Sequence, residues 1–151
     1  MKPTNIQKDL KWGLKNEKKV IKEFARVFKS KYGEFTKLGL YDHFDYCAHA
    51  LKDSRKSCFV EIKSRRNAHD AYDETIVPAA KIKKALILIE HKQKVYLVVN
   101  FTDGTYYVDL ERASMRFDWN ARTDRGAIER GHYAFLPIDQ FKKIGDKDEK
   151  D

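Results

Sequence analysis

The sequence predicts one domain of the α/β or α+β class, and three observations predict it. Helical and extended patterns interleave along 151 residues, a length that suits a single domain with a real core. Residues 14–31 repeat apolar side chains at helical spacing. Residues 44–63 read as a β-hairpin, with aromatic and β-branched residues in both arms. No repeat or linker divides the chain. The domain is expected over 1–144, and 145–151 is expected to be a disordered, charged tail.

The elements follow in order. Thr4 to Gln7 has capping-box spacing behind Pro3, so a helical segment starts there, with Gly13 as a candidate break. The helix over 14–31 carries Val20, Ile21, Phe24, Val27 and Phe28 on its apolar side, with Lys18, Lys19, Lys22, Arg26 and Lys29 around them. Gly33 ends it. Residues 35–40 form a first strand. In the hairpin, the link 52–56 is polar and turn-forming, and the loop 64–74 that follows shows no period. Residues 75–77 are extended, as the position before a proline prefers. Pro78 opens a second helix over 79–92, with Ile82, Leu86 and Ile89 on its buried side. Residues 95–101 make an apolar, central strand. Asp103-Gly104 turns the chain into a strand over 105–110. Residues 115–119 are another strand, and 120–131 a loop bearing Arg122, Arg125 and Arg130. A short strand over 133–137 and a short helix over 139–144 close the domain.

The charge narrows the partner. A formal net charge of +8 implies a polyanion, most simply nucleic acid; charge kept for solubility is the alternative. Cys47 and Cys58 fall on opposite faces of the hairpin and form no CxxC pair, so free thiols in a reducing compartment are expected. The start of the chain is polar and no apolar run is long enough to cross a bilayer, so a soluble, cytoplasmic protein is expected. The five histidines show no ligand spacing, and no zinc site is expected.

The hairpin carries the candidate chemistry. With its turn centred near Asp53, Asp45 falls opposite Glu61. Alternation then puts Asp45, Glu61 and Lys63 on one face, with Tyr46, Ala48, Val60 and Ile62 as core on the other. Carboxylates facing each other across strands repel. A divalent cation reverses that sign, and an ion pair of Asp45 or Glu61 with Lys63 is the simpler alternative. Helical spacing puts Glu17 on the apolar stripe of the first helix and Glu23 on its wet side. Arg65 and Arg66 leave the strand where they can meet phosphates. The loop arginines Arg122, Arg125 and Arg130 can do the same, with Trp119 beside them as a stacking platform for an unpaired base.

Asp45 followed by Glu61-Ile62-Lys63 on the next strand resembles the active-site signature of the PD-(D/E)XK nuclease superfamily, which includes restriction-endonuclease-like enzymes and archaeal-type Holliday junction resolvases. The resemblance spans roughly 13–110. Glu17-Lys18-Lys19 and Glu90-His91-Lys92 also fit E-x-K; strand context and the upstream Asp45 single out Glu61. Phe44 stands where the signature has proline. The resemblance implies a mixed sheet flanked by helices in the core order αβββαβ. It implies phosphodiester hydrolysis with Mg²⁺, for which Mn²⁺ can substitute. Asp45, Glu61 and the Ile62 carbonyl are then metal ligands. Lys63 orients the attacking water and stabilises developing charge. Glu17 is the glutamate that the first helix holds against the site, with Gly13 as the small residue before it. Lys81 stands where similar nucleases carry glutamine or lysine. DNA is the implied partner, with cleavage that is structure-selective, as in junction resolvases or phage-type DNA-processing enzymes. A resolvase acting on a two-fold junction would be a homodimer. The alternatives are a non-catalytic nucleic-acid-binding protein on the same fold and an RNA-directed nuclease.

Overall fold

The computed structural model describes residues 5–39, 41–122 and 129–144. Elements run α1 (Asn5–Val27), β1 (Thr36–Lys37), β2 (Tyr46–His49), β3 (Ser57–Ser64), β4 (Glu74–Pro78), α2 (Ala79–Glu90), β5 (Lys94–Phe101), β6 (Gly104–Asp109), β7 (Arg116–Arg122), β8 (Glu129–Pro137) and β9 (Lys142–Ile144). Six strands form one mixed sheet in the order β1-β2-β3-β5-β6-β9, and β4-β8-β7 form a small antiparallel sheet. Within the mixed sheet only β3 and β5 run parallel, and α2 lies in the connection between them. The core order αβββαβ is therefore present, with β4 inserted before α2 as part of the second sheet.

Side-chain alternation on β3 and β5 builds two cores. Val60, Cys58, Tyr96 and Val98 face α1 and bury Val20, Ile21, Phe24 and Phe28. Val95, Leu97 and Val99 face the other way and bury Ile82 and Ala85 of α2 with Val77, Ala134 and Leu136 of the small sheet. The sheet is thus covered on both faces, which is why β5 reads as a continuous apolar run. Phe24 is completely buried. Its ring sits 4.6 Å from Phe28, 5.3 Å from Tyr96 and 5.6 Å from Phe35, centroid to centroid.

The β2–β3 register pairs Tyr46 with Val60 and His49 with Ser57, so the turn centres on Asp53. Lys56 N–H donates to the Asp53 carbonyl at 3.0 Å, and Arg55 N–H to the Asp53 carboxylate at 3.0 Å. At the β5–β6 turn Gly104 adopts φ +150°, a backbone conformation that strains any residue with a Cβ.

Several expectations are corrected. Gly13 does not break α1: a mid-helix glycine costs about 1 kcal/mol, and a 23-residue helix anchored by the Phe24 cluster absorbs it. Val27 is exposed, because it lies on the shoulder of the stripe. The first strand shrinks to two residues. On α2 the buried side is Ile82 and Ala85, whereas Leu86 is exposed; the apolar run 85–89 wraps the helix and leaves its phase ambiguous. Residues 120–122 and 129–131 extend the β7–β8 hairpin instead of looping. The closing segment is a 3-10 turn (Ile138–Gln140) followed by β9, because the edge of β6 was open to pairing. The capping residues Pro3 and Thr4, Arg125 and the tail 145–151 lie outside the described residues.

Candidate active site

β3 delivers Glu61 and Lys63 to the face that packs on α2, two residues apart and so on the same side. Glu61 is 4% exposed, and its two oxygens are separately engaged. Lys63 Nζ lies 3.0 Å from Oε2, and Lys81 Nζ lies 3.5 Å from Oε1. Lys81 comes from the first turn of α2, which Pro78 starts. Its ammonium also donates to the His43 carbonyl and lies 5.4 Å from the Phe44 ring centroid. α2 is thereby tied to the segment that leads into Asp45.

Asp45 is fixed by the backbone. Its carboxylate Oδ2 accepts the Ile62 N–H at 2.8 Å, and its own N–H donates to the Val60 carbonyl at 3.0 Å. Carried one residue past β2, the register sets Asp45 opposite Glu61. Lys37 of β1 sits between two acids: it is ion-paired with Glu17 of α1 and lies 3.9 Å from Asp45 Oδ1. Glu17 has a side chain only 12% exposed, so the first helix does turn it towards the hairpin. Glu23 is half-buried.

Burial pushes the Glu61 carboxyl above its ordinary value. Lys63 pulls it down, Asp45 pushes it further up, and Lys81 pulls it down. Desolvation wins because two neighbouring ammonium groups replace only part of the water that a carboxylate loses. Burial, followed by the Glu17 charge, pushes the Tyr46 hydroxyl up to about 12. The site is therefore a chain of alternating charges: Glu17, Lys37, Asp45, then Glu61 with Lys63 and Lys81. The Glu61–Lys63 ion pair weighed from the sequence is present, and it coexists with two carboxylates suited to a hard cation.

A family model described as "Phage putative PDDEXK endonuclease" matches residues 10–144. The chain belongs to this family. The match runs past the hairpin and α2 through β9, further than the signature itself reaches. Among solved structures the chain is similar to Archaeoglobus fulgidus Hjc, a Holliday junction resolvase from an archaeal hyperthermophile. Identity is 9% over 80% of this chain and 82% of that one, with a TM-score of 0.48. No curated protein sequence matches.

In this PD-(D/E)XK chain the arginines fall in different places. Arg65 turns its guanidinium to the Ile76 carbonyl of β4 at 3.1 Å, and its N–H donates to the Asn100 carbonyl at 2.9 Å. Arg66 lies 4.7 Å over the Trp12 ring of α1. Arg122 and Arg130 stand on β7 and β8, on either side of 123–128. Trp119 is exposed on β7, edge-on to His132. No described helix is long and apolar enough to cross a membrane. Cys47 and Cys58 are free thiols.

Sequence reasoning missed two features. Lys37 carries no signal in the sequence; only the β1–β2 pairing, Lys37 opposite Tyr46, brings it to Asp45. The second is a surface group of His69, Asp70 and Asp103, whose ligand atoms lie within 4.8 Å of one another. The His69 ring pairs with the Asp103 carboxylate at 2.5 Å and stacks on Tyr106, and the His69 backbone N–H donates to the same carboxylate at 2.9 Å. His69 staples the loop after β3 to the β5–β6 turn, as does the Thr102 N–H, which donates to the Asn67 carbonyl at 3.0 Å. A sequence separation of 34 residues gave no spacing signal for it.

Proposed function

We propose that this chain is a Mg²⁺-dependent DNA endonuclease that hydrolyses phosphodiester bonds and selects its substrate by DNA structure more than by base sequence. The observation that carries the reading is the convergence of Asp45, Glu61, Lys63 and Lys81 from three separate segments. Membership of a PD-(D/E)XK endonuclease family supports it.

The donor set fits a hard divalent ion, since Asp45 and Glu61 offer carboxylate oxygens on one side of the hairpin. These two residues would hold the metal, with the Ile62 carbonyl as a further oxygen. The ion supplies charge neutralisation at the phosphate and a more acidic water. The protein's own groups do the rest. The Ile62 N–H fixes the Asp45 carboxylate. Lys63, held beside Glu61, orients the attacking water and stabilises charge that develops on the phosphate. Lys81 stands on the other side of Glu61 and serves the same phosphate. Glu17 holds Lys37 near Asp45 and completes the acidic side of the site. Arg65 and Arg66, which leave β3 next to the site, are assigned to the backbone beyond the cleaved bond, where phosphate-binding groups read no sequence. That, with a net charge of +8, supports selection by structure. A homodimer would match a substrate with two-fold symmetry.

The test is incubation with supercoiled plasmid, single strands and four-way junctions, with Mg²⁺ or with chelator. Wild type is expected to cut only with the metal. Asp45→Ala, Glu61→Ala and Lys63→Ala should each stop cleavage while DNA is still bound. Wild-type rates in all three variants would remove the assignment.

A further inference from the structure

The outer face of α1 carries cations that the candidate cleavage site does not use. Lys8, Lys11, Lys15, Lys18, Lys22 and Arg26 follow one another at intervals of three and four residues, and all six are exposed. On an α-helix this spacing makes one row, about 27 Å long with about 5 Å between neighbours. The row lies opposite the buried stripe of Val20, Ile21, Phe24 and Phe28. Like charges at these intervals destabilise a helix. Among the described residues none of the six is offset by an ion pair. Glu17 is turned to Lys37 on the buried side, and Glu23 is half-buried. Among the described residues the row has no partner ion, as expected of a surface that meets a polyanion.

The chemistry of that polyanion follows from what α1 does with its other side. A basic amphipathic helix that lies on a membrane buries its apolar face in lipid. Here that face is already occupied by the sheet, so only the charged row is on offer. A nucleic-acid backbone suits it: duplex DNA presents one negative charge per about 1.7 Å of axis, dense enough to meet every cation in the row. The location matters equally. Glu61 belongs to the sheet face that packs on α2, with Leu97 opposite it on β5, whereas α1 covers the other face. The row therefore faces away from the sheet, and Glu61 lies on the sheet face that α1 does not cover.

We propose that the outer face of α1 is a second, sequence-independent nucleic-acid site that holds a separate length of backbone while another occupies the cleavage site. That this site is additional to a cleavage site rests on the nuclease reading; binding along α1 does not.

The test changes Lys11, Lys15, Lys18 and Lys22 together to alanine, which preserves helix propensity, with circular dichroism and melting to confirm the fold. Protein is loaded onto a bead-bound short duplex in chelator, and a fluorescent second duplex is then offered. Wild type is expected to recruit the second duplex and the quadruple variant to lose most of that recruitment. In salt titrations the slope of log K against log salt concentration should shrink by about 3 to 4, at about 0.9 for each phosphate that is no longer neutralised. The cleavage rate at saturating short duplex should not change. An unchanged slope overturns the proposal. So does a wild type that binds one duplex and recruits no second. If the variant loses only its binding to phosphatidylserine vesicles and keeps its DNA slope, the row belongs to lipid and the proposal fails. A wild type that recruits the second duplex but cuts nothing removes the nuclease reading and leaves this site standing.

Discussion

Lys63 and Glu61, two residues apart on β3, meet at 3.0 Å on the α2 side of the sheet, yet the Glu61 carboxyl still sits above its ordinary value of 4.5. Burial outweighs the lysine. The native state therefore holds the Glu61 proton more tightly than the unfolded chain does. By linkage, this group lowers stability as pH rises from about the unfolded value through the raised folded one, and adds no further change above it. In metal-free protein, wild type should lose stability across that window, and Glu61→Gln should lose less. Urea denaturation in chelator from pH 4 to 8 measures both; identical pH slopes would show that burial does not dominate here.

A divalent ion that binds the folded state alone raises its stability by mass action, by about 2.7 kcal/mol at one hundred times the dissociation constant. Mg²⁺ should raise the melting temperature of wild type, and Asp45→Asn should lose most of the shift, because one of the two carboxylates is gone. Melting scans with Mg²⁺ and with chelator decide it. An Asn variant that responds like wild type would move the metal away from Asp45.

Glu17 and Glu23 offer a paired comparison on one helix. Glu17 reaches the site through Lys37; Glu23 does not share that ion pair. Groups that orient a metal's ligands typically cost about 10- to 100-fold in affinity or activity when removed. Glu17→Gln should lower the Mg²⁺-dependent rate by that order, and Glu23→Gln should match wild type. A slow Glu23→Gln beside a normal Glu17→Gln would reverse the assignment.

Phe24 and Val27 test the α1 packing. Phe24 is completely buried among four aromatic rings, while Val27 is exposed. Truncating a buried phenylalanine costs about 3–5 kcal/mol, and an exposed substitution stays within about 0.5 kcal/mol. Chemical denaturation of Phe24→Ala and Val27→Ala should show that contrast.

The two thiols should differ in reactivity. Burial pushes Cys58 up to about 12, and the side chain has no solvent exposure. The thiolate is the reactive form, so Cys58 should resist iodoacetamide at mildly alkaline pH until the protein unfolds. Cys47, partly exposed, should be alkylated first. Peptide mapping by mass spectrometry reads the order; early labelling of Cys58 would mean that the α1 side of the sheet opens readily.

The sequence by itself determined the hairpin register. Alternation is strict, so a turn centred on Asp53 leaves only one pairing that buries Tyr46, Ala48 and Val60 together, and Glu61 and Lys63 then share the other side. It also determined that Glu17 turns towards the hairpin, because helical phase is set by Val20, Ile21 and Phe24; Glu23, expected on the wet side, is half-buried. The E-x-K tripeptide was readable for the same local reason. Tertiary structure decided what pairs over distance. Lys37 reaches Asp45 only because β1 adds to β2, and Lys81 reaches Glu61 only because α2 packs on the face of the mixed sheet that carries Glu61. The closing segment became strand β9 because β6 offered an unpaired edge, a demand that no local pattern in 139–144 encodes. On α2 the apolar residues surround the helix, so the buried side was chosen by the sheets it packs against. Local periodicity fixes which side of an element a residue occupies; only packing fixes which element it meets.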